Sequence, residues 1–371
     1  MPRTSITGGS WNSFFLDDND NVWGCGLNNF SNQGGNKVSH FLELENLKNI
    51  CSVDSGYSHS LFLDQDGKVF SCGTDNSDGV LGRSIEANSA TQPTMIASLP
   101  KITSIAASFK NHSFFLDEDK NVWTCGDNSR GQLGLGVPQG SVSFASKVKI
   151  APIKSVAAGW MHSVFLDEDG APWACGNNNY GELGLGDREN RSNAEKIENL
   201  PSIKEIFAGC QHTMFLADDG SIWGTGYNSS GELGFSGTHI DRPTKIEGLP
   251  EIRMIALGWN HSLFLDFSGR VWACGSNSNY QLGMTNTSET QKPTELKIES
   301  PEIQSIAAGA NHSLFVDAEN SLWTCGNNKW KQLGLGSVTE ESECFVAQKV
   351  RDVPKVKIDK YRNVKSARKV V

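Results

Sequence analysis

Seven copies of one segment, spaced about 50 residues apart, dominate this sequence of 371 residues. The clearest copy runs from Gly258 to Gly275: a small residue, two variable positions, His-Ser, an apolar run, an Asp turn and Trp-x-Cys-Gly. The histidines recur every 47 to 53 residues when Asn12 is counted in place of the first. Such a period, with only strand and turn signals inside it, is typical of a propeller or a similar closed array. The other copies start at Gly9, Gly56, Ser108, Gly159, Gly209 and Gly309.

The sixth copy shows how one repeat divides into strands. Residues 252–258, 261–266, 270–274 and 292–298 are apolar or alternating runs separated by turn residues, which indicates four antiparallel strands. Small residues in the first run fit an innermost strand, and Pro293 in the fourth fits an outer edge. The chain is therefore predicted to be all-β, a seven-bladed β-propeller with four antiparallel strands per blade. We expect a narrow axial channel lined by Ala and Gly.

Charge separates a propeller over residues 1–354 from a basic C-terminal tail over residues 355–371. The chain has 33 Lys and Arg against 42 Asp and Glu, but residues 349–371 carry +7 and the rest −16. An acidic body argues against nucleic-acid binding, except weakly through the tail. Residues 355–359 begin like an eighth first strand. They are expected either to pair beside the N-terminus or to lie unpaired across the ring closure.

The cysteines favour a reducing compartment. Six of the nine share one repeat position, about 50 residues or more apart on different blades, too far for routine disulfide pairing. We therefore expect buried thiols and a cytoplasmic protein, with the nucleus as the alternative. No apolar run approaches the ~20 residues that span a bilayer, and the N-terminal residues lack the apolar segment of a secretory signal.

No catalytic chemistry is predicted from the repeated residues. A His-Ser pair with a nearby Asp resembles a hydrolytic constellation, but it occurs once per blade, and a structural role explains such repetition. The Asp-rich turns lack the spacing of calcium loops. We therefore expect a monomeric non-enzyme without metal or cofactor, in which each histidine anchors the turn between the first and second strands.

The informative positions are the two variable residues of each turn, because loops on a rigid scaffold usually carry function. Large aromatic side chains are frequent there, and such side chains form interface hot spots. The alternative is that they pack against neighbouring turns. The candidate partner-binding residues are Trp11, Tyr57, Phe109, Lys110, Trp160, Met161, Gln211, Trp259 and Asn260.

The repeat resembles that of the regulator of chromosome condensation family. The resemblance rests on Gly-x-x-His-Ser/Thr, Asp-x-Asp-Gly-x-Val-Trp-x-Cys-Gly-x-Asn and Gly-Gln/Glu-Leu-Gly, found between Thr4 and about Val350. It implies a seven-bladed propeller that binds a protein partner through this turn face, with a small GTPase as the implied partner class. The expected binding partner is a Ran-like or Rho-like GTPase. Two alternatives stay open: a guanine-nucleotide exchange factor for a Ran-like small GTPase, and an inhibitor or accessory domain of another enzyme.

For exchange activity, the resemblance implies acidic residues on some of these turns. None of the 14 variable turn positions carries Asp or Glu. The groups that could enter a nucleotide's phosphate site are Lys110, Gln211 and Asn260.

Overall fold

The computed structural model describes residues 5–27, 37–83, 90–138, 140–285, 288–336 and 342–358. These residues form seven four-stranded antiparallel sheets and contain no α-helix. Each sheet follows chain order, so one blade is one continuous stretch of sequence. The predicted seven-bladed β-propeller is confirmed.

The first four blades contain strands β1 to β16. Blade 1 comprises β1 (Ile6–Gly8), β2 (Asn12–Leu16), β3 (Val22–Leu27) and β4 (Lys37–Glu43). Blade 2 comprises β5 (Ile50–Ser55), β6 (His59–Asp64), β7 (Val69–Gly73) and β8 (Ala90–Met95). Blade 3 comprises β9 (Ile102–Ala107), β10 (His112–Asp117), β11 (Val122–Asp127) and β12 (Ser141–Lys147). Blade 4 comprises β13 (Ile153–Ala158), β14 (His162–Asp167), β15 (Pro172–Gly176) and β16 (Arg191–Lys196).

The last three blades contain strands β17 to β28. Blade 5 comprises β17 (Ile203–Ala208), β18 (His212–Ala217), β19 (Ile222–Tyr227) and β20 (His239–Ile246). Blade 6 comprises β21 (Ile252–Leu257), β22 (His261–Asp266), β23 (Val271–Ser276) and β24 (Glu289–Glu295). Blade 7 comprises β25 (Ile303–Ala308), β26 (His312–Asp317), β27 (Leu322–Asn327) and β28 (Glu343–Lys349).

The core lies between blades rather than within them. Every second strand is buried along its whole length, whereas the fourth strands are largely exposed. Seven hydrophobic clusters each join two neighbouring blades. One of them packs Phe114 and Val122 of blade 3 against Phe165 and Cys175 of blade 4. No blade can bury its faces alone, so the ring folds as one unit.

The Asp that ends most second strands closes the turn into the third. In blade 4, Asp167 Oδ1 accepts hydrogen bonds from the backbone N–H groups of Asp169 and Ala171 at 3.0 and 2.8 Å. Its Oδ2 accepts the indole N–H of Trp173 at 2.9 Å. Hydrogen bonds within the turn thus account for the position of this carboxylate, as expected for a turn between strands.

The first strands of all seven blades surround an axial cavity of about 690 Å³. Ala and Gly line only part of it, so that prediction is wrong in part. Blades 3 to 5 place Ile105, Val156 and Phe207 there, and blade 2 contributes Asp54.

The ring closes through the beginning of the basic tail. Val356 is fully buried and forms an antiparallel bridge with Asp17, and its N–H donates to Asn320 O at 2.9 Å. The N–H of Lys357 donates to Leu16 O at 2.8 Å. In blade 4 the residue paired with this Asp is Ile153, so Val356 completes the first strand of blade 1. Of the two alternatives for this segment, pairing beside the N-terminus is observed, and residues 359–371 lie outside the described residues.

Candidate functional site: the turn face

One face of the ring carries the turns between first and second strands together with the loops between third and fourth strands; we call it the turn face. In six blades this turn follows a small residue that lies against the buried histidine, and in blade 1 Gly9 lies against Asn12 instead. A Cβ added to Gly159 would lie 2.1 Å from His162 Cε1, so only glycine fits there. In blade 3 the equivalent Ser108 instead accepts hydrogen bonds at Oγ from the N–H groups of Lys110 and His112.

The six repeated histidines join neighbouring blades rather than forming a reactive site. In each case Nε2 lies within hydrogen-bonding distance of the Ser or Thr hydroxyl in the next blade, as for His162 and Thr213 at 3.0 Å. That hydroxyl donates to a backbone carbonyl, here Glu182 O at 2.7 Å, so the ring must donate through Nε2–H. The other pairs are His59–Ser113, His112–Ser163, His212–Ser262, His261–Ser313 and His312–Ser13.

These imidazoles are neutral. Burial lowers the pKa of His162, as of the other five, to about 3. Their Nδ1 atoms have no hydrogen-bond partner among the described residues. A base with so low a pKa cannot activate the neighbouring hydroxyl at neutral pH, which supports the structural interpretation. Each histidine therefore also holds the next blade through its Nε2 hydrogen bond, whereas only an anchor for its own turn was expected.

Aromatic side chains from the turns meet over the ring axis. Trp160 and Trp259 have ring centroids 5.2 Å apart, and Tyr57 lies 5.8 and 6.4 Å from them. Trp11 extends this group, 4.3 Å from Tyr57, and Trp330 follows at 5.7 Å. Tyr57, Trp160 and Trp259 come from alternate blades, so they can touch one another only across the axis. We call these five residues the aromatic cluster; all of them are half-buried.

The remaining predicted residues lie outside this cluster. Phe109 is buried and lines the axial cavity. The ammonium of Lys110 lies 3.2 Å from Asp127 Oδ2 and 3.7 Å from the sulfur of Met161. Gln211 and Asn260 are half-buried on the turns of blades 5 and 6.

Trp330 was not among the predicted residues, because it lies on a loop between third and fourth strands. A signal was available: it stands outside the repeated Trp-x-Cys-Gly position. The ammonium groups of Lys37 and Lys329 lie 4.8 and 6.0 Å from its ring centroid. This corner of the turn face is therefore both aromatic and basic.

The same loops bring two buried carboxyl groups to the turn face, although the turns themselves have none. Glu182 and Glu232 are buried, and burial raises the pKa of each to about 7. Burial, together with the charges of these two groups, also raises the pKa of the Cys210 thiol between them. They sit at the Gly-Gln/Glu-Leu-Gly position, where Gln281 is an example from another blade.

All nine cysteines are free thiols. Within the described ranges, no three His, Cys, Asp or Glu side chains are grouped as they would be to hold a metal ion. In the part of the chain that the structure describes, no helix is long and apolar enough to cross a membrane.

Family models match the repeats directly. A model described as the regulator of chromosome condensation (RCC1) repeat matches residues 66–116, 119–166, 169–216, 219–265 and 268–316. A second model of the same description matches residues 50–80, 102–132, 153–182, 203–232 and 252–281. No curated protein matches the sequence.

Solved propellers share the fold at low identity. Yeast RCC1 (Prp20) bound to Kap60 is 23% identical with a TM-score of 0.78, covering 95% of this chain and 86% of that one. Prp20p from Saccharomyces cerevisiae, described with its binding properties to Gsp1p and histones, is 24% identical with a TM-score of 0.78, covering 94% and 88%. Human WBSCR16 is 22% identical with a TM-score of 0.75, covering 85% and 87%. At these identities the likeness shows the fold alone.

Proposed function

Because this chain belongs to the regulator of chromosome condensation repeat family, we propose that it is a protein-binding propeller whose turn face holds a protein partner. A small GTPase is the favoured partner class. The observation that carries the proposal is the aromatic cluster. Half-buried Trp and Tyr side chains at the centre of a surface are what binding hot spots use.

Backbone hydrogen bonds between blades hold these turns in place. The N–H of Trp160 donates to Cys210 O at 2.9 Å, and the N–H of Trp259 donates to Ala310 O at 3.1 Å. The side chains also pack on one another, so little conformational freedom is left to lose when a partner binds. This rigidity favours a hot spot, although it also means that the same residues support the fold.

The partner class rests on the solved relatives. The yeast propeller is described with Gsp1p, a small GTPase, and with histones. An acidic chain of net charge −9 is a poor match for nucleic acid itself. A folded protein partner fits a rigid aromatic surface better.

Lys110 favours a scaffold over an exchange factor. An exchange factor must place a group at the nucleotide's phosphate and magnesium site. The one cationic candidate is already paired with Asp127, whose side chain is 8% exposed. Withdrawing the lysine would leave a buried carboxylate without its charge partner, which is costly. Gln211 and Asn260 are neutral amides.

The binding test uses purified Ran-class and Rho-class GTPases, each nucleotide-free and loaded with GDP. The variant Trp160→Ala with Trp259→Ala should weaken the Kd by about 30-fold or more, because losing a buried aromatic hot spot costs about 2 kcal/mol or more of binding free energy. Phe144→Ala is the matched control, since Phe144 is 57% exposed on the outer strand β12.

The affinity is expressed per folded molecule, with the folded fraction taken from the thermal unfolding curve. If the double variant binds normally after this correction, its tryptophans are part of the core only. If neither GTPase class binds the wild-type protein, the partner class is wrong.

Release of a fluorescent guanine nucleotide separates the two family activities. A scaffold should bind the GTPase without accelerating release at any protein concentration. Acceleration that rises with protein concentration and disappears in Gln211→Ala with Asn260→Ala would establish exchange instead.

A further inference from the structure

The axial cavity has the size of a ligand site. Its volume of about 690 Å³ lies within the range of small-molecule pockets, roughly 300 to 1,000 Å³. On the turn face, Tyr57, Trp160 and Trp259 meet over the axis. The cavity therefore opens toward the opposite face, where the first strands begin.

At the inner end of the cavity, the carboxylate of Asp54 already accepts hydrogen bonds from the protein. Asp54 Oδ1 accepts hydrogen bonds from Thr7 Oγ1 at 3.1 Å and from the N–H of Ser55 at 3.0 Å, and Oδ2 accepts from the N–H of Ala107 at 2.8 Å. Burial raises the pKa of this carboxyl to about 6, although the hydrogen bonds oppose the shift. The three donors come from blades 1, 2 and 3, so Asp54 ties those first strands together. Asp54 makes these hydrogen bonds at the end of the cavity away from the mouth.

Two lysines stand at the mouth because of β-bulges. The pairing register shifts between Ile153 and Ser155 in blade 4 and between Ile203 and Glu205 in blade 5. The extra residue in each bulge is a lysine, and bulges re-aim side chains. Both Lys154 and Lys204 line the cavity.

The equivalent bulge residues of other blades bond to the protein. Thr103 Oγ1 donates to Leu116 O at 3.1 Å, and Arg253 donates to Ile303 O at 2.9 Å. Lys154 and Lys204, by contrast, have no carboxylate within 4.0 Å among the described residues.

The other charged groups at the mouth leave an excess of positive charge. Lys120 is 3.4 Å from Glu168, so these two form an ion pair. Glu205 offsets one of the two remaining lysines. The mouth therefore has one unbalanced cation and two lysines without an ion pair among the described residues, above walls formed by side chains such as Val156 and Phe207.

We propose that the axial cavity binds a small organic anion, with its apolar body between the first strands and its phosphate, sulfonate or carboxylate group held by Lys154 and Lys204. This site is on the face opposite the aromatic cluster and is independent of the protein-binding role. The lysines supply charge-assisted hydrogen bonds, which are roughly twice as strong as those between neutral groups.

The test uses 8-anilinonaphthalene-1-sulfonate and N-phenyl-1-naphthylamine, which share the same rings, whereas only the first has a sulfonate. Fluorescence titration of the wild-type protein should show saturable binding of the sulfonate at one site. The neutral probe should bind about tenfold or more weakly, since hydrogen bonds to a charged group contribute about 1.5–3 kcal/mol. Equal affinity for the two probes would overturn the proposal.

Two variants locate the site. Lys154→Ala with Lys204→Ala should weaken binding of the sulfonate about tenfold or more and leave the neutral probe unchanged. The matched control is Lys147→Ala with Lys196→Ala, because both of these lysines are exposed on outer strands.

Ala157→Phe fills the cavity without introducing a side chain foreign to this position. Blade 5 already has Phe207 there, paired with Met214 as Ala157 is paired with Val164. This variant should remove binding of both probes while leaving the unfolding temperature near that of the wild type. Sulfonate binding unaffected by Ala157→Phe would place the probe elsewhere. Binding lost in Ala157→Phe but unchanged in the double lysine variant would refute the role of the lysines.

Discussion

Blade 1 differs from the other six blades at the positions that hold the ring together. Six interfaces are joined by a histidine and a hydroxyl, but Asn12 stands where blade 1 would have its histidine. Asparagine is shorter, and Ser55 bridges the gap: its Oγ donates to Asn12 Oδ1 at 2.8 Å and lies 2.9 Å from Ser60 Oγ. Elsewhere the residue at the Ser55 position is usually Ala, as at Ala158.

The second difference is the first strand. In blades 2 to 7 one continuous segment supplies it, whereas in blade 1 β1 is joined by Val356 from the far end of the chain. A ring made from a linear chain must have one seam, and here the seam lies in blade 1. Where blade 1 departs from the repeat at Asn12, the neighbouring Ser55 compensates.

Acid should affect the six interfaces joined by histidine but not the interface at Asn12, because histidine titrates and asparagine does not. Each histidine has a pKa of about 3 when folded, below its ordinary 6.5, so the unfolded chain takes up protons first and stability falls below pH 6.5. At pH 5 this costs about 2 kcal/mol per histidine, or about 12 kcal/mol in total.

Three buried carboxyl groups act in the opposite direction: Glu182, Glu232 and Asp54. Their raised pKa values favour the folded state as pH falls, and this recovers about 6 kcal/mol at pH 5. The net loss of about 6 kcal/mol is comparable to a typical domain's whole stability. We expect cooperative unfolding near pH 5, measured by tryptophan fluorescence. Unchanged urea stability from pH 7.5 to 5 would contradict the neutral, buried histidines.

The sequence predicted the fold because the repeat specifies interior contacts between adjacent blades. It predicted the structural role of His162 correctly, since one chemistry repeated in every blade cannot be a single active site. It could not place the aromatic cluster, because Tyr57, Trp160 and Trp259 meet only after the ring has closed. Trp330 was missed for the same reason: its contact with Trp11 crosses the seam between blades 7 and 1.

Removing Val356, which completes the first strand of blade 1, should have the next largest effect on the free energy of unfolding. A chain ending at Pro354 loses Val356, which is buried, and leaves the carbonyls of Asn320 and Leu16 without their donors. We expect a loss of about 4 kcal/mol, combining one buried apolar side chain with two unsatisfied backbone groups. Urea unfolding at pH 7.5 measures it.

The matched control is a chain ending at Ile358, which keeps the bridge and lacks only residues 359–371. Its stability should equal that of the full chain. Equal stability of the shorter chain would show that the seam closes without Val356.

The cost of a buried carboxyl group in blade 4 can be measured by replacing Glu182 with glutamine, which blade 7 has at the same position as Gln332. Glu182→Gln should stabilise the protein at pH 8 by up to about 3 kcal/mol, because a carboxyl whose pKa is raised to about 7 is costly to ionise above that pH. The gain should vanish below about pH 4.5. Blade 7 shows the expected arrangement, since Gln332 Nε2 donates to Asn327 Oδ1 at 3.1 Å and Asn177 can offer the same oxygen.

Glu232→Gln is the informative companion, because Tyr227 replaces the asparagine there. It should show the same pH dependence with a smaller gain. A stability difference that does not change with pH in either variant would contradict the raised pKa values.

The smallest net change should come from converting the irregular interface into a regular one. Asn12→His alone places a ring against Ser55 and should cost about 1–3 kcal/mol through overpacking. Ser55→Ala alone removes the bridge between Asn12 and Ser60 and should cost about 1 kcal/mol. Together the two changes recreate the His–Ser pair and the Ala of the other blades, so the double variant should lie within about 1 kcal/mol of the wild type. The expected coupling energy is then about 2–3 kcal/mol.

Unfolding in urea at pH 7.5 measures all four members of the cycle, and additive losses would show that Ser55 does not compensate for Asn12. The double variant should also lose about 2 kcal/mol more than the wild type at pH 5, because it has gained a seventh buried histidine.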